Sequence, residues 1–100
     1  MEKLFQTGNL IVTKSIAHKM YESGEFSAFC QTCLDKHKSG EWGDLEEEDI
    51  EYNNEALISN QRLLSCYLLP KDFKILDDKK IYIITEWDRS ITTILLPSEY

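Results

Sequence analysis

Apolar positions along the chain recur with two different periods. Up to about residue 60 they return every three or four positions, as on a helix, and beyond it they form short dense runs typical of strands. One apolar run, Leu10–Val12, predicts a further strand ahead of the helices. We therefore predict an α+β fold in which three N-terminal helices pack on an antiparallel sheet of about four strands.

Capping and stop residues set the bounds of the first two predicted helices. The first is predicted over Ile16–Glu22, with Ser15 as its N-cap and Gly24 as its stop. The second is predicted over Phe26–Lys38, with basic residues in its last turn and Gly40 as the left-handed stop.

The third helix is predicted to begin at Asp44 and to end near Asn60. Asp44 has the residue type of an N-cap, and Glu47 three positions later is its predicted capping-box partner. The outward face of this helix is almost purely acidic.

Three strands are predicted after the helices, over Leu63–Leu69, Ile81–Thr85 and Ile91–Leu96. A polar loop at Lys71–Lys79 separates the first two, and a turn at Asp88–Ser90 joins the last two. The last two strands are apolar on both faces, which predicts a central place in the sheet. Helices would cover one face of that sheet, and the other face is open to another element or a partner.

Composition limits the classes of protein. One hundred residues, 42% of them apolar, suit a single domain over residues 1–100 and exclude a disordered chain. No apolar run approaches the roughly 20 residues that span a bilayer, and no secretory signal opens the chain. Three cysteines are an odd number, which suits a reducing compartment. We expect a cytoplasmic protein with no membrane segment.

The net charge of −7 is concentrated in one short segment. Eight of the 18 acidic residues lie in residues 41–55, where there is no Lys or Arg, and ten acidic and 11 basic residues remain elsewhere. Such a segment repels nucleic acid and attracts basic protein surfaces. Direct binding of nucleic acid is therefore not expected.

A cysteine–histidine pattern raises the question of a zinc site. Cys30, Cys33 and His37 share one helix face, and Cys66 could complete a tetrahedral set. The same positions continue the apolar stripe that begins at Phe26, and free cysteine behaves as a small apolar residue. The pattern favours core packing, with no metal and no other cofactor.

The corner between the second and third helices has two interpretations. In the structural one, Trp42 anchors the core, His37 is a C-cap and Asp44 is an N-cap. In the functional one, His37, Trp42, Asp44 and Asp49 line a recognition surface.

The predicted turn between the last two strands is also rich in polar residues. Turn chemistry accounts for it if Asp88 bonds to its own backbone and Arg89 pairs with Glu86. The alternative is a small enzyme or ligand-binding module that combines Glu86, Asp88 and Arg89 with His37 and Asp44. No phosphate loop, nucleophile elbow or metalloprotease motif accompanies these residues, so binding is favoured over catalysis.

Two stretches resemble a family of small bacterial proteins carried on plasmids, conjugative elements and prophages. The first is His37-Lys38-Ser39-Gly40-Glu41-Trp42-Gly43-Asp44-Leu45, followed by Asp49 and Asn53. The second is Arg62-Leu63-Leu64-Ser65-x-Tyr67 together with Ile81-Tyr82-Ile83-Ile84-Thr85-Glu86-Trp87-Asp88-Arg89-Ser90 and its continuation to Pro97. The chain departs from the family pattern at Glu41, Tyr82 and Trp87, and its cysteines are not part of that pattern. The resemblance implies a mobile-element context and carries no named activity.

These observations favour a small acidic accessory protein of a phage or mobile element that acts by binding another protein. Its most concrete form is an inhibitor of a host defence complex, of the anti-CRISPR or anti-restriction type, whose basic nucleic-acid groove it would occupy. A homodimer formed through the second sheet face is a further interpretation. The residues predicted to bind the partner are Trp42, Glu46, Glu47, Glu48, Asp49, Glu51 and Glu55.

Overall fold

The computed structural model describes residues 3–73 and 78–100, so residues 74–77 of the predicted polar loop lie outside the described residues. The described residues form an α+β fold with three helices and a four-stranded sheet. In chain order the elements are β1 (Asn9–Val12), α1 (Lys14–Glu22), α2 (Gly24–Lys38), α3 (Glu47–Ser59), β2 (Leu63–Leu68), β3 (Lys80–Thr85), β4 (Ile91–Leu95) and a 3₁₀ turn (Pro97–Glu99).

The sheet is mixed, and its strand order is β1-β4-β3-β2. The central place predicted for β3 and β4 is confirmed, and both of their antiparallel pairings are present. The prediction of a wholly antiparallel sheet is wrong, because β1 runs parallel to β4 with Leu10 opposite Thr92. The helices also follow β1 rather than opening the chain. The local pattern identifies β1 as a strand, but it carries no information on which strand lies beside it.

The start of α1 and the junction between α1 and α2 differ from their predictions. Thr13 occupies the N-cap position of α1, so Ser15 lies inside the helix. Gly24 does not stop α1; it is the first residue of α2. The hydroxyl oxygen of Ser23 accepts the Phe26 N–H at 3.1 Å and so caps the second helix one residue after the first ends. The stop predicted at Gly40 is confirmed, with φ at 83°.

The main core lies between one face of the sheet and helices α1 and α2. Phe26, Cys30 and Leu34 of α2 pack with Ile83 of β3 and Ile94 of β4, and all five are buried. Strand alternation directs Leu64, Cys66 and Tyr82 to the opposite face. The C-terminal segment lies against that second face, where the Tyr100 ring meets Tyr82 edge-on at 5.9 Å.

Helix α3 lies along the outer edge of β2, and hydrogen bonds occupy the outward backbone groups of Leu64 and Cys66 and the Leu68 N–H. The Asn53 side chain donates to Leu64 O at 2.7 Å and accepts from Leu64 N–H at 3.2 Å. Farther along, Cys66 N–H donates to Trp42 O, and Asp44 N–H donates to Cys66 O. These bonds satisfy backbone groups that an edge strand otherwise leaves open to association.

The Asp44 carboxylate completes this edge, because it accepts the Leu68 N–H at 3.0 Å. Its predicted role as N-cap of α3 is therefore wrong: the helix begins at Glu47, and Glu46 takes the N-cap position without a side-chain bond. Gly43 has φ at 83°, and a Cβ there would clash with the Cys66 carbonyl oxygen. Close approach of the chain to β2 thus requires glycine at position 43.

Replacing Asn53 by Ala tests the importance of this edge. Asn53→Ala removes both bonds to Leu64 and leaves its backbone groups unpaired beside a helix. We expect the free energy of unfolding to fall by about 1–3 kcal/mol, measured by urea denaturation. The control is Glu51→Ala on the same helix, which should stay within about 0.5 kcal/mol of the parent. Equal stability of the two variants would contradict this account of the edge.

Candidate functional site

His37 is fully buried at the centre of a polar network that the sequence analysis did not predict. Its Nδ1 lies 2.6 Å from Ser65 Oγ on β2, and its Nε2 lies 2.9 Å from Thr85 Oγ1 on β3. Thr85 Oγ1 lies 2.8 Å from Thr92 Oγ1 on β4, which in turn bonds to Thr7 O. The sequence signal for it is that Ser65, Thr85 and Thr92 interrupt apolar strands on the same face.

The carbonyl at the end of this network fixes the direction of the bonds from Thr92 back to His37 Nε2. Thr7 O can only accept, so the Thr92 hydroxyl donates to it and must accept from Thr85. The Thr85 oxygen then accepts from His37 Nε2–H. Because burial holds the pKa of His37 far below neutral, the ring is uncharged, and its Nδ1 accepts from the Ser65 hydroxyl.

Burial, together with a smaller effect of the positive charge of Arg89, lowers the pKa of His37 to about 3. A histidine with this pKa cannot exchange protons as a general acid or base near neutral pH. Its carbonyl accepts the Gly40 N–H at 3.2 Å, but its side chain does not cap α2 as predicted. His37 is a structural residue that joins α2 to two strands.

Trp42 is buried, with 3% of its surface exposed, and this confirms the prediction of a core anchor. Its ring stacks on Phe5 at 6.2 Å and meets His37 edge-on at 5.6 Å, while Nε1–H donates to Asn54 Oδ1. The indole therefore does not lie on the surface, where a partner-binding anchor would have to be.

Arg89 binds the end of α3 rather than a substrate. Its guanidinium donates to Ala56 O at 3.0 Å and to Gln61 O at 2.6 Å, where a cation suits the negative end of the helix. It donates to the backbone carbonyl of Glu86 and forms no ion pair with that carboxylate, so the predicted Glu86–Arg89 pairing is wrong. The turn chemistry of Asp88 is confirmed by its bonds to Ser90 N–H and Oγ–H.

The five residues of the predicted alternative site do not share a cleft. Asp44 binds at Leu68, whereas Arg89 binds beside Leu63, at the opposite end of β2. Because strand residues advance about 3.3 Å each, the two side chains attach on the order of 16 Å apart. Asp88 is exposed at the turn and His37 is sealed inside the core.

The cysteine and histidine side chains are also not assembled as a metal site. Burial raises the pKa of the Cys30 and Cys33 thiols to about 12, so neither is a thiolate at neutral pH. Cys66 faces the opposite side of the sheet, and both nitrogens of His37 are bonded to hydroxyls. Among residues 3–73 and 78–100, no group of three His, Cys, Asp or Glu is placed to hold a metal ion.

A groove of about 780 Å³ lies between α3 and the second face of the sheet. One wall is acidic, formed by Asp44, Glu46 and Asp49, and Tyr52 continues this wall along the helix. The contact of α3 with the edge of β2 positions this wall. Asn53, which lies between Asp49 and the end of the helix, bonds to Leu64 of the strand. The volume suits a peptide segment or a small molecule.

The facing wall combines two cations with two tyrosines. The Arg62 guanidinium lies over the Tyr100 ring at 5.2 Å and donates to its hydroxyl, and Lys80 Nζ lies 5.7 Å from the Tyr82 ring. Neither cation forms an ion pair with a described carboxylate, although the acidic wall lines the same groove. Leu64, Cys66 and Tyr82 contribute to the groove from the sheet face.

The structure divides the predicted acidic residues into two sets. Glu46 and Asp49 line the groove, whereas Glu47, Glu48, Glu51 and Glu55 are exposed on other parts of the helix. Glu46 at the N-cap and Glu47, Glu48 and Asp49 in the first turn all lie at the positive end of the helix, where negative charge is favoured. No acidic residue of 41–55 forms an ion pair with a described Lys or Arg.

Comparison with protein-family models, with curated proteins and with solved structures finds no match for this chain. The resemblance to small mobile-element proteins therefore stays a prediction. No helix among the described residues is long and apolar enough to cross a membrane.

The low pKa of His37 predicts a specific dependence of stability on pH. Below about pH 6.5 the unfolded chain takes up a proton on His37 that the folded chain excludes down to about pH 3. The free energy of unfolding should fall through this window as pH decreases, by up to about 1.4 kcal/mol per pH unit from this group. Above the window the group contributes no slope.

Urea denaturation between about pH 7.5 and pH 4.5 measures this slope. His37→Gln removes the titrating group and keeps an amide that can bond to Ser65 and Thr85. The slope of its free energy of unfolding against pH should therefore be smaller than that of the parent by the equivalent of about one proton. The exposed His18 is present in both proteins, so it does not contribute to the difference between their two slopes. Parallel profiles for the two proteins would show that His37 titrates normally.

Proposed function

We propose that this protein acts by binding another protein, and that the groove and the acidic surface of α3 are its binding site. The observation that carries the proposal is that the acidic wall faces a groove lined by three tyrosines while its carboxylates remain without cationic partners among the described residues. Tyr52 and Tyr100 are 54% and 63% exposed, and tyrosine is enriched where proteins bind one another.

The charge of the site supports a basic partner segment. Unpaired carboxylates keep their full field, which accelerates association with a positively charged surface and repels the phosphates of nucleic acid. Arg62 and Lys80 stay on the far wall, held over tyrosine rings, so the groove can also accept the carbonyls or an acidic side chain of a bound segment. A basic polypeptide satisfies both walls, whereas DNA or RNA satisfies only one.

The specific form of the proposal is an inhibitor of a host defence complex that handles nucleic acid. Such complexes hold nucleic acid in positively charged channels. A small domain with −8 on one 15-residue segment could occupy such a channel in place of nucleic acid. The mobile-element resemblance of the sequence supports this choice among basic partners.

Two double variants with the same change in charge test the groove. Glu46→Lys with Asp49→Lys alters the groove wall, and Glu47→Lys with Glu51→Lys alters the same helix outside it. The groove pair changes the N-cap and a first-turn residue, and the control pair changes one first-turn residue, so thermal unfolding of both variants checks that each keeps its fold. Affinity capture from a bacterial host, followed by association kinetics with the captured protein, provides the measurement.

We expect the groove pair to lose the partner, and the control pair to keep it with a slower association rate. The association rate of the parent protein should decrease as salt increases, and this dependence should weaken in both pairs. Equal loss in the two pairs would mean that bulk charge and not the groove is recognised. Unchanged binding in both would contradict a role for the acidic surface.

The inhibitor form predicts a phenotype in cells. Expression of the protein in a strain with an active CRISPR or restriction system should raise the plating efficiency of a targeted phage. The groove pair should not raise it, and the control pair should. Protein binding without any rise in plating would retain the binding function and reject defence inhibition.

A further inference from the structure

The two edges of the sheet differ in how far their outward backbone groups are hydrogen-bonded. The outer edge of β2 is sealed by Asn53, Trp42 O and Asp44, but β1 at the other edge has no such cover. The bonds of β1 to β4 fix which of its groups face outward. Asn9 N–H donates to Ser90 O and Thr13 N–H donates to Ile94 O, so odd-numbered peptide groups face β4.

The backbone N–H and C=O groups of Leu10 and Val12 therefore face away from the sheet. No residue within 3–73 or 78–100 donates to or accepts from them on that side. The side chains beside this open edge are apolar, with Leu10 49% and Ile11 45% exposed. An uncovered edge with exposed apolar side chains is a surface for strand pairing.

We propose that β1 pairs antiparallel with β1 of a second copy of this chain, forming a two-fold symmetric dimer with a continuous sheet. In this register Leu10 of each copy exchanges N–H···O bonds with Val12 of the other, and the axis passes between the two Ile11 residues. Every outward group of Leu10 and Val12 then has a partner. Ile11 lies directly opposite Ile11, which joins the two exposed apolar side chains.

The antiparallel register makes this edge complementary to itself, and the distribution of charge permits a second copy there. Strand β1 carries no charge, and the acidic residues of 41–55 lie at the β2 edge on the far side of the sheet. Two copies joined at β1 would hold their β2 strands on the order of 34 Å apart, at about 4.8 Å per strand spacing. That distance exceeds the Debye length of roughly 8 Å, so the two acidic surfaces do not oppose association.

Cysteine cross-linking tests the register of this dimer. Opposed residues at a non-hydrogen-bonded pair have Cα atoms about 4.5 Å apart, within the range of a disulfide. Ile11→Cys should therefore form a covalent dimer quickly under mild oxidation. Tyr21→Cys, at a position that is 92% exposed, gives the rate of random collision. The three native cysteines are buried and provide the background.

Sedimentation over a concentration series tests the dimer without cross-linking. Leu10→Pro removes an outward N–H and leaves the β4 bonds in place, so the dissociation constant should rise about tenfold or more. Leu10→Lys keeps the backbone and places a charge at the edge, which gives a second variant should proline disturb folding. Ile58→Lys, on the exposed side of α3, is the control and should leave the dimer unchanged.

Three results would overturn the proposal. The first is a parent protein that sediments as a monomer at its highest attainable concentration, and the second is equal cross-linking of Ile11→Cys and Tyr21→Cys. The third is a dimer that resists both Leu10 variants, which would place the interface elsewhere. Both measurements use purified protein alone, so they do not depend on the proposed binding function.

Discussion

The structure depends on keeping His37 neutral in the core. One imidazole accepts from Ser65 and donates toward Thr85, so it joins α2 to β2 and β3, and Thr92 extends the same network to the N-terminal segment. A proton on Nδ1 would add charge where burial and Arg89 both disfavour it. With His37 held in place, the chain that follows it must turn at Gly40, and this turn brings Trp42 against the imidazole.

The same turn positions the groove. After Trp42 the chain pairs with Cys66 at the β2 edge, and Asp44 and Asn53 bond to the strand on either side of that pairing. The edge thus holds both the start of α3 and its middle. The carboxylates of α3 and the cations beside Tyr82 and Tyr100 line the same groove without forming ion pairs with each other.

The sequence predicted local structure better than long-range pairing, and particular residues show why. The period of apolar residues located α2 and the strands to within two residues, because both depend on neighbours along the chain. Asp44 has the residue type of an N-cap, yet its carboxylate binds Leu68, 24 positions away, and no local pattern contains that bond. Likewise the parallel neighbour of β1 and the hydroxyl partners of His37 depend on how the elements pack. The acidic set was evident from composition, but only the orientation of α3 separates Glu46 and Asp49 from the rest.

The β2 edge and the β1 edge of the sheet suit two different kinds of association. Bonds to Leu64, Cys66 and the Leu68 N–H occupy most of the outward backbone groups of β2, so a partner there recognises mainly side chains, and recognition by side chains is selective. The β1 edge offers backbone groups and short apolar side chains without charge, which suit an identical strand but discriminate poorly among others. A dimer through β1 removes that unselective edge from solvent. It also displays two acidic grooves on opposite ends of one particle, and such a particle gains avidity for a partner with repeated basic sites.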